Sequence, residues 1–303
     1  MRWRKLGLIY RPREDRWWAK THAYLPTAEV IDGRVIRVYF AALDENRHGR
    51  IGYVDLDAGD PRRILYETEE PVLDIGEPGT FDDSGVSPSC VLTAGGRKHL
   101  YYIGWQRCER VPYMLFSGLA VSHNSVVYER HARVPILDRT DAEPYCRSAP
   151  FVMIENGFWK MWYWSCTNWS YKKNTAYYNG VIRYAVSNDG ISWTSLPHAC
   201  IAPDFEDEYA VGRPWVVKDG GVYRMWYSIR KRSVPYTIGY AESWDGIHWE
   251  RMDHAAGIAR SESGWDSEMV CFPCVVDAGG QRYMFYNGNR HGLEGFGCAV
   301  LES

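Results

Sequence analysis

The sequence predicts an all-β chain, a five-bladed β-propeller forming one domain over residues 1–303, and three features carry that expectation. An aromatic pair inside a short apolar run occurs as Tyr39-Phe40, Tyr101-Tyr102, Trp162-Tyr163, Trp226-Tyr227 and Phe285-Tyr286, at intervals of about 60 residues. A second run follows each pair, as Ile51-Gly52-Tyr53-Val54, Ser117-Gly118-Leu119-Ala120, Ile182-Arg183-Tyr184-Ala185, Ile238-Gly239-Tyr240-Ala241 and Phe296-Gly297-Cys298-Ala299. The third feature lies at the termini. The last repeat stops after its third strand, whereas the stretch from Trp3 to Pro12 matches the fourth-strand stretch from Trp193 to Pro203. The N-terminal strand is therefore expected to complete the last blade.

The stretch from Glu208 to Trp249 displays the unit most plainly. An apolar run after Pro214 stops at Asp219-Gly220-Gly221, a second spans Val222 to Ser228, and a third, Ile238 to Ser243, ends at Asp245-Gly246. Asp189-Gly190-Ile191-Ser192-Trp193 matches Asp245-Gly246-Ile247-His248-Trp249 and marks the turn into the fourth strand. Aligning Pro26, Pro88, Pro150, Pro214 and Pro273 places the first strand of each unit. Four antiparallel strands per unit, arranged radially, leave only short protected edges. The longest irregular stretches, Asn168 to Gly180 and Asp204 to Tyr209, are expected as binding loops between strands.

Composition bounds the function. Aromatics make up 15% of the chain, with 14 Trp and 22 Tyr; strand packing accounts for most of them, and exposed rings also stack on sugar faces. A net charge of −3 with interspersed signs gives no footprint for nucleic acid or an anionic membrane, so neither is expected as a partner. The N-terminus is charged within five residues and no run approaches membrane-spanning length, which places the protein in the cytoplasm. Of the eight cysteines only Cys271 and Cys274 form a Cys-x-x-Cys pair, read as two buried thiols and not as a metal or redox site.

The innermost strands of a propeller line its channel, so chemistry is sought just before those strands. If the lead-in segments are extended, residues five, three and one before the proline share a face. That face collects Asp83, Tyr145, Arg147, Tyr209, Arg213 and Glu268, with Asp82, Glu143, Glu208 and Asp266 on the other face or at the rim. Paired carboxylates suit glycoside chemistry, one protonating the leaving oxygen and the other serving as base or nucleophile, so Asp83 and Glu268 are the expected catalytic pair. The competing reading makes them salt-bridge partners of Arg147 and Arg213. A neutral sugar needs no guanidinium, so the two arginines point to an acidic substrate or to phosphate. His22, Trp105, Trp164 and Asn289 are further substrate-binding candidates, and Arg230 follows a second strand toward the same mouth. No cofactor and no protein metal motif is read from the chain, although the channel leaves room for a structural cation.

The lead-in Phe81-Asp82-Asp83-Ser84-Gly85-Val86-Ser87-Pro88, the Met-Trp-Tyr runs beginning at Met161 and Met225, the Ala-x-Ser-x-Asp-Gly-Ile-x-Trp turns and the ending from Tyr286 to Asn289 resemble the five-bladed β-propeller glycosidase superfamily. That group includes arabinanases, β-xylosidases, invertases, levansucrases and mannoside phosphorylases. The resemblance implies a carbohydrate substrate and a glycosidic bond as the target, with hydrolysis ahead of phosphorolysis or glycosyl transfer, and a non-catalytic sugar-binding module as the alternative outside enzymes. Hydrolases of the group use an Asp on the first blade, an Asp on the second and a Glu on a later one. Asp83 matches the second-blade residue, whereas the first lead-in has Lys20 and His22 instead of Asp. The phosphorylases carry basic residues at the channel, a role the resemblance extends to Arg147 and Arg213.

Overall fold

A computed structural model describes residues 1–173, 175–204 and 206–302. The N-terminal strand β1 (Trp3–Tyr10) precedes a first set, β2 (Thr21–Ile31), β3 (Val35–Leu43), β4 (Gly49–Asp57) and β5 (Ile64–Glu67). The second set is β6 (Gly85–Ala94), β7 (Arg97–Arg107), β8 (Tyr113–Ser122) and β9 (Glu129–Arg130). The third is β10 (Arg147–Glu155), β11 (Phe158–Lys172), β12 (Thr175–Ser187) and β13 (Thr194–Ile201). A fourth contains β14 (Glu208–Asp219), β15 (Val222–Lys231), β16 (Thr237–Ser243) and β17 (Glu250–Arg251), and the last contains β18 (Cys271–Ala278), β19 (Gln281–Asn287) and β20 (Phe296–Leu301). Among the described residues no helix is long and apolar enough to cross a membrane.

Consecutive strands within each set pair antiparallel, as in β14-β15-β16-β17. Successive sets touch through single parallel contacts at Gly49 and Gly85, Phe116 and Arg147, and Gly180 and Ala210. Strand β1 pairs antiparallel with β20, Trp3 opposite Leu301 and Tyr10 opposite Phe296. The first and last sets meet through β2, where the Leu25 N–H donates to Asn287 Oδ1 of β19 at 2.8 Å and the Ala28 N–H to Cys274 Sγ of β18 at 3.0 Å. Cys271 and Cys274 are buried free thiols.

The recurring motifs do two jobs. In the second and third sets the first member of the aromatic pair locks onto the Asp-Gly turn of the next set: Tyr101 OH donates to the Gly190 carbonyl at 2.8 Å, and Trp162 Nε1 to the Gly246 carbonyl at 2.7 Å. In those turns Asp189 and Asp245 each accept two backbone N–H groups at 2.8 Å, and Gly190 and Gly246 adopt φ of 75° and 78°, which only glycine takes without strain. The backbone donors hold the Asp189 carboxyl down at about 2.

The second member, where it is tyrosine, reaches a carboxylate. Tyr102 donates to Asp82 at 2.9 Å, Tyr163 to Glu143 at 2.9 Å, Tyr227 to Asp253 at 2.5 Å and Tyr286 to Asp266 at 2.9 Å. Each carboxylate also has a cation: Arg130 on Asp82 at 2.8 Å, Arg147 on Glu143 at 3.2 Å, Arg251 on Asp253 at 2.5 Å and Lys5 on Asp266 at 2.6 Å. Glu208 pairs with Arg251 at 3.0 Å. Acidic residues of the lead-ins are thus used up in buried pins, because a carboxylate taken out of water needs donors on its oxygens.

Two sequence expectations are corrected by the backbone. The lead-ins do not alternate cleanly up to the proline. Leu25, Ala149, Arg213 and Phe272, each just before its proline, have φ of 56°, 51°, 54° and 56°, and the ladders skip there, between Tyr24 and Thr27, Ser148 and Phe151, Gly212 and Trp215, and Cys271 and Cys274. Such a bulge adds a residue to one strand and breaks the two-residue facing rule on which the shared face rested. The stretch from Asn168 to Gly180 is also no loop. Apart from Asn174, which lies outside the described residues, it forms the paired ends of β11 and β12, with Trp169 opposite Tyr178. Phe205, in the other expected loop, lies outside the described residues as well.

Candidate functional site

The lead-ins and second-strand ends surround a depression of about 430 Å³ that continues into a recess of about 80 Å³, the two sharing Leu25, Trp105, Tyr178, Arg230, Tyr236 and Phe272. Its basic groups are His22, Arg47, Arg107, Arg230 and His291. Aromatic walls come from Tyr24, Trp105, Tyr113 and Tyr178, with Trp164 deeper in the recess. Among the described residues that line either part there is no Asp or Glu.

Local structure explains how these groups are held. Arg107 Nη2 donates to the Asn46 and Arg47 carbonyls at 2.7 and 2.9 Å, bracing the β3–β4 turn with Arg47 at a φ of 63°. Trp105 Nε1 donates to Ser87 Oγ at 3.0 Å, whose hydroxyl donates to Tyr24 OH at 3.1 Å, so the indole is fixed from behind. The extended β11–β12 hairpin packs Trp169 and Tyr178 against Tyr113, centroids 5.7 and 5.9 Å apart, and Tyr171 OH donates to the Arg110 carbonyl of the β7–β8 connection. His22, Arg290 and His291 have φ of 63°, 51° and 60°. Left-handed backbone at non-glycine residues costs about 1–3 kcal/mol each and gathers where function needs it.

Arg230 is the exceptional group. Its guanidinium lies over the rings of Tyr178, Tyr236 and Tyr209, with centroid distances of 3.8, 4.8 and 5.4 Å. Its Nε and Nη1 are buried and have no hydrogen-bond partner. Burial raises the Tyr209 phenol to about 12 and pushes that of Tyr236 up further, so the cage stays uncharged and does not neutralise the arginine.

Both histidines stay neutral at pH 7. Burial, then Arg47, pulls His22 down to about 4, and burial, then Arg230 and His22, pulls His291 to about 4. Between pH 6.5 and 4 the unfolded chain therefore binds protons that the folded protein does not, so stability is full above pH 6.5 and falls as pH drops toward 4. Urea titrations across that range are expected to show the fall, and the double variant His22→Gln with His291→Gln is expected to flatten it. An unchanged slope would mean that other groups govern acid sensitivity.

The sequence candidates divide accordingly. His22, Trp105, Trp164 and Arg213 line the depression or its recess. Tyr209 is nine-tenths buried and contributes through its ring beneath Arg230. Arg213, however, is occupied: it donates to the Ser89 carbonyl at 2.9 Å, the Pro26 carbonyl at 3.2 Å and Thr27 Oγ1 at 2.8 Å, bolting three sets together. Arg147 is buried away from the lining and held by Glu143, Tyr163, Ser195 and the Asp138 carbonyl. Asp83 accepts from the Gly79 N–H at 2.9 Å and the Ser84 hydroxyl at 2.8 Å, one hydrogen bond behind a lining residue. Glu268 is exposed outside the lining, and Tyr145 is half-buried outside it. Asn289 caps the Gly264–Met269 turn, accepting from the Glu268 N–H at 2.8 Å. The six expected residues do not converge on one mouth. Arg47, on the β3–β4 turn, and Arg107, the last residue of β7, were missed, whereas His291 lies in the stretch after the last second strand, Asn287 to His291, that the sequence had already directed toward the mouth.

No family model matches the chain. Uncharacterized protein Rv1502 of Mycobacterium tuberculosis (strain ATCC 25618 / H37Rv) is 39% identical over 303 residues, covering 100% of both chains. The chain belongs to the Rv1502 family. Uncharacterized protein MT1551 of strain CDC 1551 / Oshkosh matches to the same extent. Among solved structures, one described as a glycoside hydrolase superposes with a TM-score of 0.77 at 19% identity, covering 99% of this chain and 92% of that one. A glycosyl hydrolase from Bacteroides ovatus gives 0.77 at 16% identity, with 99% and 92% covered. A structure from work on the GH130 family of mannoside phosphorylases gives 0.74 at 16% identity, with 99% and 93% covered. These likenesses establish the fold of the propeller glycosidase superfamily.

Proposed function

We propose that this protein is a carbohydrate-active enzyme, a closed five-bladed propeller whose N-terminal strand completes the last blade, and that it acts on a glycosidic bond of a sugar bearing an acidic or phosphate group. The observation that carries the reading is the composition of the mouth: arginines, histidines and aromatic rings, with no carboxylate among its described lining residues. Aromatic faces suit sugar rings, and guanidinium groups suit oxyanions. Acid/base work by Asp83 and Glu268 would require both to reach a depression that neither lines. The neutral imidazoles of His22 and His291 are already there, and in this reading they serve as base toward the attacking water or phosphate. Phosphate as the attacking species is a second reading favoured by the same arginines.

The test is a turnover screen of neutral and acidic glycosides with and without inorganic phosphate, following release of free sugar and sugar phosphate. Acidic or phosphorylated glycosides are expected to turn over, and activity confined to neutral ones would remove the proposal. In the same assay Asp83→Asn is expected to lower kcat less than tenfold, and His291→Ala by about a hundredfold or more. A loss of about a thousandfold with Asp83→Asn would return that carboxylate to the mechanism.

A further inference from the structure

We propose that Arg230 is the receptor for an oxyanion carried by the sugar itself, a carboxylate or a phosphate ester on the ring, and that it determines substrate specificity. This rests on reading the mouth as a carbohydrate site. Among the described residues, the other arginines that are not exposed have acceptors: Arg213 has two carbonyls and a hydroxyl, Arg147 has Glu143, and Arg50 has Asp44 and Asp74 at 2.6 and 2.5 Å. The same holds for Arg37 with Asp55, Arg130 with Asp82, and Arg282 with Asp219. Arg230 alone has neither an ion pair nor a hydrogen bond on its buried Nε and Nη1. Guanidinium nitrogens removed from water without a partner are costly, and folded proteins keep such atoms where a ligand completes them.

The surroundings define that ligand. Tyr178, Tyr209 and Tyr236 cover the faces of the guanidinium, leaving its in-plane N–H donors as the only way to satisfy it, and that edge geometry matches the paired oxygens of a carboxylate or phosphate. Arg230 belongs to both the broad depression and the recess, beside Trp105, Tyr178 and Phe272. Free phosphate would engage the arginine but leave these apolar faces bare. A sugar ring bearing the anion uses both.

The experiment measures binding to the full chain by calorimetry, with glucose, glucuronate, glucose 6-phosphate and inorganic phosphate as probes at millimolar concentration. At least one acidic sugar is expected to bind about tenfold or more tightly than glucose, with Arg230→Gln erasing the difference and Arg230→Lys keeping part of it. An Arg230→Gln protein that retains the preference overturns the assignment. Equal binding of all three sugars overturns it too while leaving the carbohydrate reading intact. Binding of phosphate without any sugar overturns both. Because the free arginine is unpaired, Arg230→Met is expected to raise the melting temperature of the ligand-free protein by about 2 °C. A lower melting temperature would mean that the tyrosine cage depends on the cation and would overturn the claim that it awaits an anion.

Discussion

A protein lacking residues 1–10 is expected to lose its cooperative fold. Strand β1 buries Trp3, Ile9 and Tyr10 to 5%, 9% and 3% exposure, and Trp3 meets Trp226 edge-on at 6.0 Å. At about 2 kcal/mol or more for each large side chain, the loss reaches about 6 kcal/mol before any hydrogen bond is considered, comparable with the whole stability of a domain. The deletion also strips β20 of its ladder partner, which exposes an edge, and removes Lys5 from the buried Asp266 carboxylate. Circular dichroism melts and sedimentation of the truncated protein check this. A cooperative transition within about 5 °C of the full chain would show that the strand is dispensable.

Arg213→Leu is expected to destabilise the protein by about 3–5 kcal/mol. Its guanidinium is buried to 3% exposure, and burial lowers its pKa to about 10. Removing a buried cation relieves desolvation, and this substitution would be mild if Arg213 had few partners. It has three acceptors on two other strands, all of which the change leaves without this donor, so the orphaned acceptors outweigh the relief. Urea denaturation of the variant measures the difference. The contrast with Arg230 is the sharper check, since loss of the partnered arginine should destabilise and loss of the unpartnered one should not. Equal effects from the two would contradict the distinction drawn between bolt and receptor.

Much of the strand pattern was legible because its causes are local. The aromatic pairs, the Asp-Gly turns and the fourth-strand likeness of Trp3 to Pro12 each reflect side-chain alternation or turn chemistry within about ten residues. The pairing of Trp3–Tyr10 with Phe296–Leu301 joins segments at opposite ends of the chain, yet it was readable from an unfilled place in a repeat. The Asn168 to Gly180 stretch misled because its Asn and Tyr residues suggested a loop, whereas cross-strand contacts such as Trp169 with Tyr178, 5.3 Å between centroids, make it a hairpin.

The sequence by itself determined an all-β chain with its repeating strands and turns. Only the tertiary structure decided which arginine is free. Arg147 pairs with Glu143 four residues away and with Tyr163 and Ser195 on other strands, Arg213 binds groups from two other sets, and the buried Nε and Nη1 of Arg230 find no acceptor. The same holds for the carboxylates: Asp82, Glu143 and Asp266 are taken up by tyrosines and cations on neighbouring strands. The physical reason is that a side chain's direction near a bulge, and the partners it finds when water is removed, are set by the packing of whole sheets and not by the residues on either side.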